Sequence, residues 1–218
     1  MNDLLILEEK IKELFLHEAT GHDWYHIDRV RKVALFLCEQ EGGNPKIVEA
    51  AALLHDVPDE KLNPSKQAGE KRFYQVLSEI PFTKTEREEI EGIVFSISFK
   101  GGNEATLTNL NAKIVRDADR LDAMGAIGVA RTFAYGGSNG QPLYNPNLKV
   151  RDEMSEEEYR NQPSSSIHHF YEKLLKLKGL MTTESGRRLA EERHQFMEQF
   201  LEQFFLEWQL GQGSKQDT

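Results

Sequence analysis

Cysteine is almost absent. Cys38 stands alone in 218 residues, so this chain forms no intramolecular disulfide, Cys-rich zinc finger or iron–sulfur site. Long apolar runs are missing too: no stretch approaches the roughly 18 residues of a membrane span. The opening MNDLLILEEKIKELFLHEA sets acids beside its apolar residues and has no basic region, unlike a signal peptide. Positive charge is scarce, with 27 Lys and Arg against 36 Asp and Glu and a formal net charge of −9. Such a balance repels a phosphate backbone and argues against a nucleic-acid polymer as partner. A small phosphorylated substrate met in a local basic pocket remains compatible with it. A cytoplasmic protein without membrane attachment is expected. Convincing period-two alternation is also lacking, and only Ile93–Phe99 competes as a strand.

Helical spacing fills the chain instead. Leu4, Leu7, Ile11 and Leu14 lie on one face behind Asp3, and Ile27, Val30, Ala34, Leu37 and Cys38 repeat the pattern. Asn44-Pro45 reads as N-cap and N1 of a helix carrying Ile47, Ala51 and Leu54. Asn63-Pro64 gives the same signal ahead of Phe73, Val76, Leu77 and Ile80. Thr83 with Glu86 forms a capping box before Ile90, Ile93, Val94 and Ile97. Leu107–Leu121, a short helix capped by Ser155 and Glu158, Ile167–Leu177 and Leu189–Phe204 follow, with Phe196, Phe200 and Phe204 expected in the core. The expected fold class is all-α, a bundle of roughly nine helices. Residues 1–210 read as one domain, and 211–218 as a frayed tail. Tyr135–Asn147 reads as a long loop.

Three features carry chemistry. His26 shares a stripe with Val30, Val33 and Leu37, so it faces inward; alone, such a residue is more often a satisfied core histidine than a ligand. His55-Asp56 follows the apolar AALL and precedes Val57-Pro58, which places it at a helix end. A carboxylate there faces the negative end of the helix dipole, and a cation held against it reverses the penalty. Asp117, Asp119 and Asp122 crowd a helix whose buried face is marked by Ile114, Ala118 and Leu121. Three such carboxylates are costly unless paired or metal-bound; salt bridges to Arg116 and Arg120 are the plain alternative. His26, His55, Asp56 and Asp119 together supply two imidazoles and two carboxylates. That set suits one divalent ion such as Mn, Fe, Co, Ni or Mg better than structural zinc.

In the order His26, His55-Asp56, Asp119, and in the contexts HIDRV, AALLHDVPDEK and RDADRLDAMGAIG, the chain resembles the HD-domain phosphohydrolase superfamily. The likeness covers Gly21–Arg131. Further on, SIHHFYEKLLKLKGLM is similar to a small bacterial subgroup, the YpgQ-like HD hydrolases. The resemblance implies His26, His55, Asp56 and Asp119 as metal ligands, Asp119 being preferred over Asp117 and Asp122 because it stands in ADRL. It implies Asp59 as the residue that orients or deprotonates the attacking water, with Glu60 as its substitute. No histidine lies between Val57 and Ala118, the interval that supplies extra ligands in two-metal relatives, so one metal ion is expected, with Mn favoured. His22, Lys61, Lys100, Arg120 and Lys173 are candidates for substrate contact. The expected activity is hydrolysis of a nucleoside triphosphate, releasing pyrophosphate. Phosphomonoester hydrolysis of a nucleotide is the runner-up. A non-enzymatic nucleotide sensor and a plain helical interaction module are the other classes, and a homodimer is compatible with all of them.

Overall fold

A computed structural model describes residues 3–18, 21–97, 106–151 and 164–210. Among them are nine α-helices, two 3-10 segments and no strand. The all-α reading is borne out.

The helices α1 (Asp3–Phe15), α2 (Trp24–Glu41) and α3 (Pro45–Leu54) lead into a 3-10 turn at Glu60–Leu62. Then come α4 (Lys66–Ser78), α5 (Lys84–Ser96), α6 (Leu110–Asp122) and α7 (Gly125–Ser138). After them lie α8 (Ser166–Glu172), a 3-10 stretch at Leu174–Leu180, and α9 (Glu184–Gln209).

The centre of the bundle is α3. Asn44 caps it, accepting from the N–H groups of Lys46 and Ile47, and Pro45 starts it. Its residues Ile47, Val48 and Ala50 through Leu54 are all buried, so it is apolar on nearly every side. Such a helix needs neighbours all round, and α1, α2, α5 and α6 provide them. Each fully buried Leu or Ile there contributes roughly 1.5–3 kcal/mol relative to an exposed one. α2 packs along both α3 and α6, and α9 closes the bundle over α7, α6 and α2. The C-terminus of α3 thus ends inside a crowded frame of helices.

Local signals set several boundaries where expected, including the Thr83–Glu86 capping box of α5. Five expectations are corrected. The helix after Asn63-Pro64 is capped by Ser65; Asn63 is used elsewhere. α6 starts at Leu110 behind its cap Asn109, not at Leu107. The Ile167–Leu177 stripe is broken at Lys173, where the chain changes from α to 3-10 geometry. Residues Tyr135–Ser138 belong to a helix that the stripes did not reveal, α7. Its buried positions are Gly125, Gly128 and Gly136, not large apolar side chains. A Cβ at Gly136 would sit 2.3 Å from Ser166 Oγ, so a side chain there would have to displace that hydroxyl. Phe196 is 44% exposed rather than core. Phe200 and Phe204 do pack, in an aromatic cluster with Phe133, Phe170, Tyr144 and Trp208. Lys100, the helix capped by Ser155 and the tail 211–218 lie outside the described residues.

Candidate metal centre

Three helices deliver the donors. Asp23 caps α2 by accepting from the His26 backbone N–H at 2.8 Å, which sets His26 in the first turn with its ring turned inward and 1% exposed. α3 ends at Leu54, and the chain turns at once: the Val57 N–H bonds the Leu54 carbonyl at 3.0 Å and the Asp59 N–H bonds the Asp56 carbonyl at 3.1 Å. Asn63 holds this turn from outside, donating to the carbonyls of Val57 at 2.9 Å and Asp59 at 2.7 Å. Gly69 of α4 lies so close that a Cβ would stand 2.5 Å from the Pro58 carbonyl. His55 and Asp56 are therefore fixed at the mouth of α3, and Asp119 reaches them from α6.

The donor atoms converge. His26 Nε2 lies 3.3 Å from His55 Nε2, 3.3 Å from Asp56 Oδ2 and 3.6 Å from Asp119 Oδ1. His55 Nε2 lies 3.4 Å from Asp56 Oδ1 and 3.7 Å from Asp119 Oδ1. Neighbouring ligands about 2.1 Å from one octahedral ion stand about 3 Å apart, so this spacing is slightly wider than that of a filled site. Asp119 is 38% exposed at its side chain, whereas His26 and His55 are buried, so the cluster opens to solvent on the Asp119 side.

The imidazoles fit a cation chemically as well as spatially. His55 Nδ1 donates to the Ala52 carbonyl at 2.7 Å, and His26 Nδ1 donates to Asp122 Oδ2 at 2.7 Å. With each Nδ1 carrying the proton, the Nε2 lone pairs of the neutral rings point at each other and at two carboxylates. Only a proton or a metal ion relieves that concentration of electron pairs. Burial by itself would lower the His26 pKa, but hydrogen bonds to Asp122 and Asp56 outweigh it and push it up to about 9. Burial by itself would raise the Asp56 pKa, but His55, His22 and His26 hold it well below the usual carboxylate range. The field that favours a proton on His26 is the field that favours a divalent ion.

Asp122 is the residue that sequence reasoning undervalued. It is 3% exposed and accepts from His26, from Arg29 Nε at 2.7 Å and Nη2 at 3.0 Å, and from Arg131 Nη1 at 2.6 Å. Burial would raise its pKa; His26 and Arg29 lower it strongly, so it stays ionised. Its place one turn after Ala118 on the buried face was the available signal; its partners on α2 and α7 were not legible. Asp117 has a different employment: its carboxylate accepts from the N–H and hydroxyl groups of Thr182 and Thr183 at the head of α9.

The remaining candidates scatter. His22 joins the cluster: its Nδ1 donates to Asp56 Oδ2 at 2.8 Å, and its ring meets His26 edge-on. Asp59 is half-buried on the turn three residues past Asp56, and Glu60 beside it is exposed. Lys61 belongs to the same 3-10 turn. Arg120 is buried and donates to the Leu180 carbonyl at 2.6 Å, on a face of α6 about 100° round from Asp119. Lys173 is half-buried where α8 gives way to the 3-10 segment.

Comparison with known proteins identifies the family and the fold. The HD domain family profile matches residues 23–124, which span every residue of the cluster except His22. The chain is similar to YpgQ of Bacillus subtilis, 37% identical over 195 residues, with 88% of this chain and 87% of YpgQ covered. Among solved structures it is similar to a Lactobacillus plantarum protein at TM-score 0.84 and 34% identity, covering 96% of this chain and 98% of that one. It is also similar to an HD-superfamily hydrolase from Bacillus thuringiensis at TM-score 0.75 and 45% identity, covering 94% and 96%. YpgQ in complex with ADP superposes at TM-score 0.73 and 33% identity, covering 92% of this chain and 95% of YpgQ.

Proposed function

Because the chain belongs to the HD-domain family of metal-dependent phosphohydrolases, we propose that it hydrolyses a nucleoside triphosphate to a monophosphate and pyrophosphate. His26, His55, Asp56 and Asp119 are assigned as holders of a single divalent ion, with Mn the favoured metal. The convergence of the His26 and His55 Nε2 atoms, 3.3 Å apart, with an oxygen of Asp56 and an oxygen of Asp119 within 3.7 Å of each of them carries the assignment. A nucleotide as substrate is supported by the ADP held by the Bacillus subtilis relative. No described helix is long and apolar enough to cross a membrane, which accords with a water-borne substrate.

When bound, such an ion polarises a phosphoryl oxygen and makes water a nucleophile near neutral pH. The protein's own groups do the rest. Asp59, on the turn pinned by Asn63, takes the proton from water as its oxygen attacks the α-phosphorus. The bond from that phosphorus to the bridging oxygen breaks, and pyrophosphate leaves with the electron pair. His22 holds Asp56 in place by its 2.8 Å hydrogen bond. Asp122 fixes the His26 ring so that Nε2 faces the centre. Lys61 and Lys100 are assigned to neutralise the departing phosphates, and Glu60 stands beside Asp59 as a secondary base.

The test is a nucleotide panel run with Mn, Mg, Co and Ni, with products identified. Pyrophosphate release from triphosphates is expected. Orthophosphate release from monophosphates alone would replace this reading with a phosphomonoesterase, and no turnover with any metal would leave a sensor. Asp59→Asn is expected to slow turnover by about 10²-fold or more with metal content unchanged.

A further inference from the structure

Arg131 stands one turn after Gly128 on α7, just past a tight fold-back from α6. A Cβ at Gly128 would lie 2.2 Å from the Ala123 carbonyl oxygen, so only glycine lets α7 leave α6 this closely. The fold-back returns the Arg131 guanidinium to the carboxylate nine residues earlier, where Nη1 donates to Asp122 Oδ2 at 2.6 Å. Its other arm leaves α6 altogether. Nη2 donates to the Gly21 carbonyl at 2.9 Å, 110 residues away along the chain. Gly21 and His22 precede α2, which begins at Trp24.

Two routes to the metal ligands start from this one planar group. Through Asp122 it bonds the oxygen that accepts the His26 Nδ1 proton at 2.7 Å. Through Gly21 it holds the residue next to His22, whose Nδ1 donates to Asp56 Oδ2 at 2.8 Å. The His22 and His26 rings meet edge-on with centroids 5.5 Å apart, so the two routes end on adjacent rings. The charge of Asp122 is already answered without Arg131. Arg29 grips that carboxylate with Nε on Oδ1 at 2.7 Å and Nη2 on Oδ2 at 3.0 Å, the fork geometry that suits it. What Arg131 adds is a span. Its donors form a rigid fork that reaches two acceptors on different segments, which the single point charge of an ammonium does not reproduce.

We propose that Arg131 is a positioning residue of the metal centre, setting His26 through Asp122 and His22 through the Gly21 carbonyl at once. The inference rests on the assignment of His26, His55, Asp56 and Asp119 to a divalent ion. Two of those four, His26 and Asp56, take outer hydrogen-bond partners from groups that Arg131 holds. Such outer partners fix how a ligand side chain faces its ion.

The test is Mn titration of the full-length chain, with free Mn read by electron paramagnetic resonance, on wild type, Arg131→Met, His22→Ala and the double variant. Arg131→Met removes both donor arms and is expected to raise the Mn dissociation constant about tenfold or more. His22→Ala is expected to raise it several-fold. The double variant is expected to fall clearly short of the product of the two single effects, because His22 carries part of what Arg131 does. If Arg131→Met does not fold, Arg131→Lys takes its place. It keeps a cation beside Asp122 without the fork and is expected to raise the constant about threefold; an unchanged constant there overturns the proposal. Wild-type affinity in Arg131→Met overturns the proposal and leaves the metal assignment standing. A double variant equal to the full product does the same, since Arg131 and His22 would then act independently. No Mn binding by wild type removes the metal assignment, and this proposal with it.

Discussion

Asp117 and Asp119 stand two residues apart on one helix and share neither environment nor purpose. Asp117 is fully buried, and its oxygens are met by backbone N–H and hydroxyl donors at 2.7–3.1 Å. Those donors tie α6 to the first turn of α9. Asp119 is 38% exposed at its side chain and faces two imidazole nitrogens whose protons are committed elsewhere. A carboxylate surrounded by donors is complete as a piece of scaffold. A carboxylate facing lone pairs is complete only with a cation. Burial alone would rank the two in the wrong functional order; what their oxygens face separates them.

That contrast breaks most visibly through Asp119→Ala, expected to remove turnover by about 10³-fold or more and to lower bound metal in elemental analysis, with the melting temperature of the metal-free protein unmoved. Wild-type turnover in that variant would end the assignment. Asp117→Ala is the reciprocal change. It leaves the buried N–H of Thr183 and the half-buried N–H of Thr182 without this acceptor and is expected to cost about 3 kcal/mol in denaturant unfolding, while the folded fraction still binds metal at wild-type affinity. Asp122→Asn sharpens the comparison between the two extremes. It keeps the shape that orients His26 but removes the charge facing Arg29 and Arg131, and metal affinity is expected to fall about 10- to 100-fold. An unchanged affinity would reduce Asp122 to scaffold, like Asp117. The smallest effect is expected from His22→Ala, which loses one hydrogen bond to Asp56 and about 1 kcal/mol of its positioning, read as a several-fold rise in the metal dissociation constant.

Much of the site was legible because its signals are local. His55-Asp56 announced itself by an apolar run ending before a proline, and the helix does stop at Leu54. His26 declared its inward face by its spacing with Val30 and Leu37, and its burial matches that expectation. What stayed hidden depends on partners distant in the chain. The bond from His26 to Asp122 joins residues 96 apart, and the guanidinium of Arg29 reaches Asp122 across 93. Asn63 looked like a helix cap, yet its amide secures the turn after Asp56 from six and four residues away. α7 escaped because glycine costs roughly 1 kcal/mol against alanine within a helix, and four glycines fall in its fourteen residues. It is held by α9 and α8 packed against it, partners that lie elsewhere in the sequence.

The shortest route to the central claim is a crystal of the Mn-soaked protein measured at the manganese absorption edge. One anomalous peak is predicted, about 2.0–2.4 Å from His26 Nε2, His55 Nε2 and an oxygen of each of Asp56 and Asp119. An absent peak, or one centred on other carboxylates with these four side chains unliganded, would contradict the account.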